Sequence, residues 1–291
     1  MAGLSFVTTL AYDWKYAREA IRSYYTIADE IVLGLDAERV SWSKKPFAFD
    51  DHAVAEFVRE IDTDRKIRII QDNFHAHDLP MDNDTFERRQ LGAACHAGNW
   101  VVQIDSDEIL WNPHEFRSFL TDLKHDVCVA ATWVPVYKIL GNKALVVAGR
   151  PEATPVATRS PHLYRYARVT GQPYTMSTLQ LLHLSWGRTE NELVQKLTNW
   201  SHSQEIDIGK TVGLWRDTTL ENYRQHQDFH PLLGPLWQSL EVVDWPPKTL
   251  VEATIPTQSA DGERTHHLLD NPIIVHAKNA QGAVMISFGK P

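Results

Sequence analysis

Cysteine is scarce in this sequence. Only Cys95 and Cys128 occur in 291 residues, which excludes a disulfide framework or a cysteine-based zinc centre and suits a reducing cytosol. Long apolar runs are missing. No stretch approaches the roughly 18 residues of a membrane span. The opening MAGLSFVTTLAYDW lacks the basic start and apolar stretch of a secretory signal. A soluble cytoplasmic protein is expected. Positive charge is in the minority, with 29 Lys and Arg against 37 Asp and Glu and a net charge of −8. That balance supplies no general attraction to nucleic acid or anionic lipid. Glycine-rich phosphate loops are also missing. Neither GxxxxGK[ST] nor a GxGxxG after the first strand occurs, which argues against P-loop and common nicotinamide binding. No HExxH occurs among 14 His, and His75-Ala76-His77-Asp78 is the one tight His cluster. A polar loop before Pro80 explains that cluster as well as a metal site does.

What the sequence does have is tryptophan, ten in all, some of which are candidates to line a site for a flat or ring-shaped ligand. It also has strands and helices in alternation. Leu4–Leu10, Glu30–Leu35, Ile67–Gln71 and Trp100–Ile104 read as apolar strands. Lys15–Thr26, His52–Ile61 and Asp84–Ala97 read as the helices between them. Strands apolar on both faces imply a parallel sheet covered on both sides. Residues 1–110 therefore read as a Rossmann-like half, and 111–291 as a second half within one integrated unit. There the pattern loosens. Glu115–Leu123 and Glu190–Trp200 read as helices, Val127–Val136 and Leu179–Leu184 as strands. Residues 141–175 read as loops and hairpins, and 204–250 show little period. Pro272–Ala277 and Ala283–Phe288 read as two strands about an Asn-Ala-Gln-Gly turn.

The chemistry concentrates in WVVQIDSDEIL, residues 100–110. An apolar strand runs into Asp105, Ser106, Asp107 and Glu108. The carboxyl ends of parallel strands form the ligand crevice. Carboxylates there can hold a hard divalent cation, Mg²⁺ or Mn²⁺, beside phosphate oxygens. The competing reading is a capped turn. His183, at the end of LQLL, is a candidate third metal ligand, with His202 and His276 as rivals and Lys278 beside the latter.

The order of elements, with IDSDE after the fourth strand, resembles the GT-A glycosyltransferases, more narrowly the family 2 and β-1,4-N-acetylglucosaminyltransferase types. The resemblance spans most of residues 4–207. It implies an α/β GT-A fold: a Rossmann-like nucleotide-binding half with a mostly parallel central sheet, plus a mixed α+β acceptor half. It implies a metal-dependent transfer of sugar from a nucleotide-diphosphate sugar, UDP foremost, to a hydroxyl acceptor such as a glycan or glycoconjugate. Thr8, Thr9, Ala11 and Tyr12 fall in the loop that contacts the nucleoside, and Asp36 where an acidic residue contacts the base. Arg88 or Arg89 matches an Arg near the nucleotide. Asp105 and Asp107 match the DxD that meets ribose and metal. His183, Arg188 and Lys196 match a downstream His and basic helix near metal and diphosphate. The chain departs from the family 2 pattern in having LDAERVSW in place of an Asp-Gly-Ser-Asp run, and in showing no clear Glu-Asp or Gln-x-x-Arg-Trp motif.

The resembling families invert, which calls for a carboxylate base. Glu152, Glu190, Glu205 and Asp207 are the candidates; Glu190 also reads as a helix-start residue. Among Trp111, Trp133, Trp186, Trp200 and Trp215, Trp186 is the preferred ligand-stacking residue because it lies beside His183. The alternatives are a nucleotidyltransferase or phosphoryl-transfer enzyme, and a non-catalytic carbohydrate-binding protein of the same fold.

Overall fold

β1 (Leu4–Leu10) and β2 (Glu30–Asp36) are buried along their whole length. They are apolar without alternation because helices cover both faces. In the computed structural model, which describes residues 2–149 and 152–246 and the backbone of 274–277 and 284–287, they sit at the centre of a parallel unit. β3 (Ile67–Asp72) pairs with β2, and β4 (Trp100–Gln103) with β1, all parallel. α1 (Ala17–Tyr24), α2 (Asp51–Ile61) and α3 (Pro80–Ala94) fill the crossovers. Asp50 starts α2 by accepting the Ala53 amide at 3.0 Å.

α3 begins four residues before the position its apolar pattern implies. Pro80 opens it, and the face it buries is polar: Asn83, Asp84, Glu87 and Arg88 point inward with Leu91. A helix with a polar buried face hides from hydrophobic periodicity.

The remaining strands extend the same sheet. They are β5 (Glu108–Trp111), β6 (Cys128–Leu140), β7 (Lys143–Ala148), β8 (Glu152–Thr158), β9 (Tyr174–His183) and β10 (Ser239–Asp244). β8 lies antiparallel to β4 and joins the two halves, giving the order β10-β7-β6-β8-β4-β1-β2-β3. β9 runs parallel to β6 and antiparallel to β5. The architecture is α/β with one open, mixed ten-stranded sheet, consistent with a Rossmann-like nucleotide-binding fold.

The stretch 141–175 holds β7, which forms a hairpin with β6, and β8, in keeping with its reading as loops and hairpins. Two expectations change. α4 (Pro113–Asp122) starts two residues early. The weakly patterned 204–250 contains α6 (Ile208–Asp217) and β10; α6 buries only Val212 and Trp215, too few for a visible period. β11 (Ile274–Ala277) and β12 (Val284–Ser287) pair antiparallel, as expected of the last two strands. Lys278 and the turn between them lie outside the described residues.

Two cores matter for the site. One, including Phe6, Tyr24, Trp100 and Phe116, packs α1, α2 and α4 on the sheet. The other gathers Tyr137, Trp186, Trp215 and Trp237 under α5 (Glu190–Asn199) and α6. Trp215 donates its ring N–H to the Tyr137 carbonyl at 2.8 Å, so this tryptophan is committed to packing.

Candidate functional site

Asp105, Ser106 and Asp107 form the turn between β4 and β5. Glu108 builds that turn. Its Oε2 accepts the Asp105 amide at 2.8 Å, and its Oε1 accepts the Trp133 indole N–H at 2.7 Å. Arg168 closes the arrangement with two parallel bonds to Glu108, at 2.8 and 2.7 Å. Glu108 has no exposed surface, so it organises the turn from behind. The β5–β9 register sets His183 opposite Glu108, and the Leu184 amide donates to the Asp107 carbonyl at 2.9 Å. The sheet thus brings His183 and Asp107 together across 76 residues of chain.

The two aspartates serve different cationic clusters. Asp105 faces Arg88 at 2.8 Å and Arg168 at 3.7 Å. Asp107 Oδ2 accepts from Lys196 Nζ at 2.5 Å and from Arg188, with His183 Nε2 at 3.5 Å. Arg188 also reaches Asp13 at 3.1 Å, and Asp13 accepts from Ser106 at 3.0 Å. Burial raises the Asp107 carboxyl, but Lys196, His183 and Arg188 outweigh it and leave the group well below the usual carboxylate range. Asp105 is likewise lowered: burial opposes, and Arg88 and Arg168 prevail. The Asp105 side chain is 25% exposed and Asp107 3%, so Asp105 is the one a ligand reaches first.

Asp105, Asp107, Arg88, Arg168, His183 and Lys196 line a cleft of about 270 Å³, just under the usual size of a small-molecule site. One wall comes from the ends of β1 and β2, the loop carrying Trp42 and Phe47, and α3. The other comes from β6, β8, the end of α5 and the segment 230–237. Trp133 stacks on His183 with centroids 4.6 Å apart. Glu152 lines this second wall and accepts the Trp237 indole N–H at 3.1 Å. Burial raises its carboxyl above the ordinary value.

Of the residues expected at the site, Thr9, Tyr12, Asp36, Arg88, Asp105, Asp107, Glu152, His183 and Lys196 line the cleft. Glu205, Trp133, Trp186, Trp200 and His202 line it too. Arg188 stands directly behind Asp107 and is almost fully enclosed. The others are elsewhere. Thr8 is a core residue that donates to the Ile104 carbonyl at 2.7 Å. Arg89 turns away to the Tyr164 carbonyl. Glu190 is exposed and pairs with Arg216 at 2.6 Å; the capping box at that helix start uses Thr189 and Glu192 instead. Asp207 caps α6 by accepting the Lys210 amide at 2.9 Å. Asp36 borders the cleft, but both its oxygens are in use. Oδ1 accepts the amides of Glu38 and Val40, each at 3.0 Å. Oδ2 accepts the Phe74 amide at 2.9 Å and meets His75 Nδ1 at 2.8 Å. His75 is thereby tied to Asp36, and His77 packs edge-on against Phe86, so the His cluster does not converge.

Arg168, Glu87 and the segment 230–237 carry no sequence signal. Arg168 lies in a loop after β8, where Ala167 adopts a left-handed φ of 43°. Its partner Glu108 is 60 residues away.

The divalent cation implied by the resemblance does not fit this arrangement. Asp107 Oδ2 is surrounded by three nitrogen centres, of Lys196, Arg188 and His183. Among the described residues no three His, Cys, Asp or Glu side chains cluster to hold a metal. The positive charge beside the two aspartates comes from Arg88, Arg168, Arg188 and Lys196.

No family model matches the chain, and no curated protein matches it. Among solved structures it is similar to the mannose-1-phosphate geranyltransferase from Thermus thermophilus, at 8% identity and a TM-score of 0.28, covering 76% of this chain and 67% of that one. No helix among the described residues is long and apolar enough to cross a membrane.

Proposed function

We propose that the cleft binds a nucleotide-diphosphate sugar and transfers its glycosyl group to a hydroxyl acceptor, as an enzyme of the GT-A kind. The observation that carries this reading is the convergence of Arg88, Arg168 and Lys196 at the carboxyl ends of β1 and β4, where parallel sheets bind nucleotides. All three are held by buried carboxylates and cost little reorganisation when an anion arrives. In the transfer step the acceptor oxygen attacks the anomeric carbon and its proton passes to Glu152. The bond from the anomeric carbon to the diphosphate oxygen breaks, and the electron pair leaves on the diphosphate. Lys196, Arg88 and Arg168 stabilise that charge. Glu152 suits the base role because its raised proton affinity favours taking a proton in the transition state. Trp200, half-buried at the end of α5, gives the second wall an aromatic surface against which a sugar ring of the acceptor packs.

Nucleotidyl or phosphoryl transfer is the second reading. The same cations at the strand ends, Arg88 and Lys196, would hold the phosphates of a nucleoside triphosphate as they would a diphosphate. One experiment separates the two. The protein is incubated with UDP-, GDP-, ADP- and dTDP-sugars, and separately with nucleoside triphosphates plus sugar 1-phosphates. Release of nucleoside diphosphate, lost in Lys196→Met, is the expected result. Release of pyrophosphate from the triphosphate mixtures instead establishes nucleotidyl transfer. Binding without turnover in either set identifies a carbohydrate- or nucleotide-binding protein.

A further inference from the structure

The cleft changes its hydrogen-bonding character from one end to the other. At the two aspartates it offers donors, on Arg88, Arg168 and Lys196. The wall around Trp200 offers acceptors. Asn199, the last residue of α5, lines the cleft and is 6% exposed. Its Nδ2 donates to the Gln195 carbonyl at 2.8 Å, which fixes the orientation of the amide. Its Oδ1 is enclosed and has no partner in the protein. Ser43 Oγ, from the loop on the opposite wall, pins this helix end, 3.2 and 3.0 Å from the carbonyls of Asn199 and Trp200. Tyr166, two residues before Arg168, also lines the cleft, and its hydroxyl is likewise enclosed and unpartnered. His202 packs edge-on against Trp200 with centroids 4.7 Å apart, and its ring lies 6.1 Å from that of Tyr166. Its Nδ1 meets Glu205 Oε1 at 2.9 Å. A carboxylate only accepts, so Nδ1 carries the proton and the uncharged ring keeps a lone pair on Nε2. Among the described residues no arginine or lysine pairs with Glu205. Enclosed polar atoms that the fold leaves unbonded are destabilising, and a ligand that brings hydrogen-bond donors removes that penalty.

We propose that Asn199, Tyr166 and the His202–Glu205 pair form a subsite for the hydroxyls of an uncharged sugar, and that this subsite selects neutral acceptors over anionic ones. The role of the sugar as acceptor rests on the transferase reading above; the chemistry of the subsite rests on the wall itself. Sugar hydroxyls donate to Asn199 Oδ1 and His202 Nε2, the Tyr166 hydroxyl donates or accepts, and Trp200 packs against the ring. A phosphate or carboxylate on the same sugar brings a second anion towards Glu205 and has no hydrogen to give to the Asn199 oxygen. Selectivity then comes from repulsion as well as from fit.

The test is NMR titration of the methyl glycosides of glucose, galactose, mannose and N-acetylglucosamine, and of the 6-phosphates and 6-carboxylates of the same sugars. Each is titrated alone and with UDP, GDP, CDP or ADP present. The neutral glycoside that binds best is expected to bind at least about tenfold more tightly than its anionic forms. Glu205→Gln keeps an oxygen for His202 and is expected to close that gap. Tyr166→Phe is expected to lose about fivefold in glycoside affinity, the worth of one hydrogen bond. Its melting temperature is expected to equal or exceed that of the wild type, because the hydroxyl has no partner in the protein to lose. Unchanged glycoside affinity in Tyr166→Phe overturns the subsite, as do anionic sugars that bind as tightly as neutral ones. Nucleotide binding is the separate readout. A nucleotide that binds while no glycoside does overturns the subsite alone. Glycosides that bind with these dependences while no nucleotide binds support the subsite and overturn the transferase reading.

Discussion

Replacing Arg168 by Met is expected to destabilise the protein severely, through Glu108. Arg168 makes two bonds to that carboxylate, at 2.8 and 2.7 Å, and a third to the Gln103 carbonyl at 3.0 Å. Methionine keeps the apolar length but none of the charge. Glu108 would remain fully buried with Trp133 and the Asp105 amide as its donors. Removing one partner of a buried pair costs about 3–5 kcal/mol, because the other charge stays behind uncompensated. At roughly 2–3 °C per kcal/mol for a chain of this size, the melting temperature falls by roughly 6–15 °C. Urea denaturation of Arg168→Met, Glu108→Gln and the double variant supplies the cycle. The double variant is expected to be more stable than Arg168→Met alone, since the orphan charge is gone. A cost below about 1 kcal/mol for Arg168→Met is the size of an exposed pair and would refute the keystone role given to Glu108.

Two further outcomes follow from the site. Because Lys196 and Arg188 occupy the Asp107 oxygen, nucleoside diphosphate affinity is expected to be the same within about twofold in EDTA and in Mn²⁺ or Mg²⁺, against the roughly tenfold that about 1.4 kcal/mol would produce. A strict metal requirement by calorimetry would show that both cations leave Asp107 when a nucleotide binds. His230 accepts the amides of Leu232 and Leu233 at Nδ1, at 3.2 and 3.0 Å, and burial lowers its proton affinity to a pKa of about 4. The folded turn therefore binds fewer protons than the unfolded chain between about pH 4 and the ordinary 6.5, and its stability is lost as pH falls through that window. Hydrogen exchange at Leu232 and Leu233, corrected for intrinsic rate, is expected to accelerate over that range; unchanged protection would show that the imidazole does not hold the segment closed.

Much of the first half was legible because its signals are local. β1, β2 and β4 are apolar runs, α1 and α2 have helical period, and a strand that ends in IDSDE places its carboxylates at a parallel strand's carboxyl end whatever follows. Asp105 and Asp107 stand at that strand end, and Arg88, His183 and Lys196, which local pattern does not place, come to them only in the assembled fold. Other choices of the same residue types went elsewhere. Glu190 and Asp207 pair or cap at the surface, and Arg89 faces away from its neighbour Arg88, because successive helix residues do not share a face.

The alternation of strand and helix, the parallel order and the position of the acidic turn all depend on neighbours within a few residues, and the chain's own pattern was enough to specify them. Which charges oppose one another depends on the assembled fold. Arg168 meets Glu108 across 60 residues, Lys196 meets Asp107 across 89, and Trp42 meets Glu87 across 45. Such pairings leave no periodic trace, since a buried polar side chain is tolerated wherever the fold supplies its partner. They are also what turns an Asp-x-Asp into a cation-bound pair.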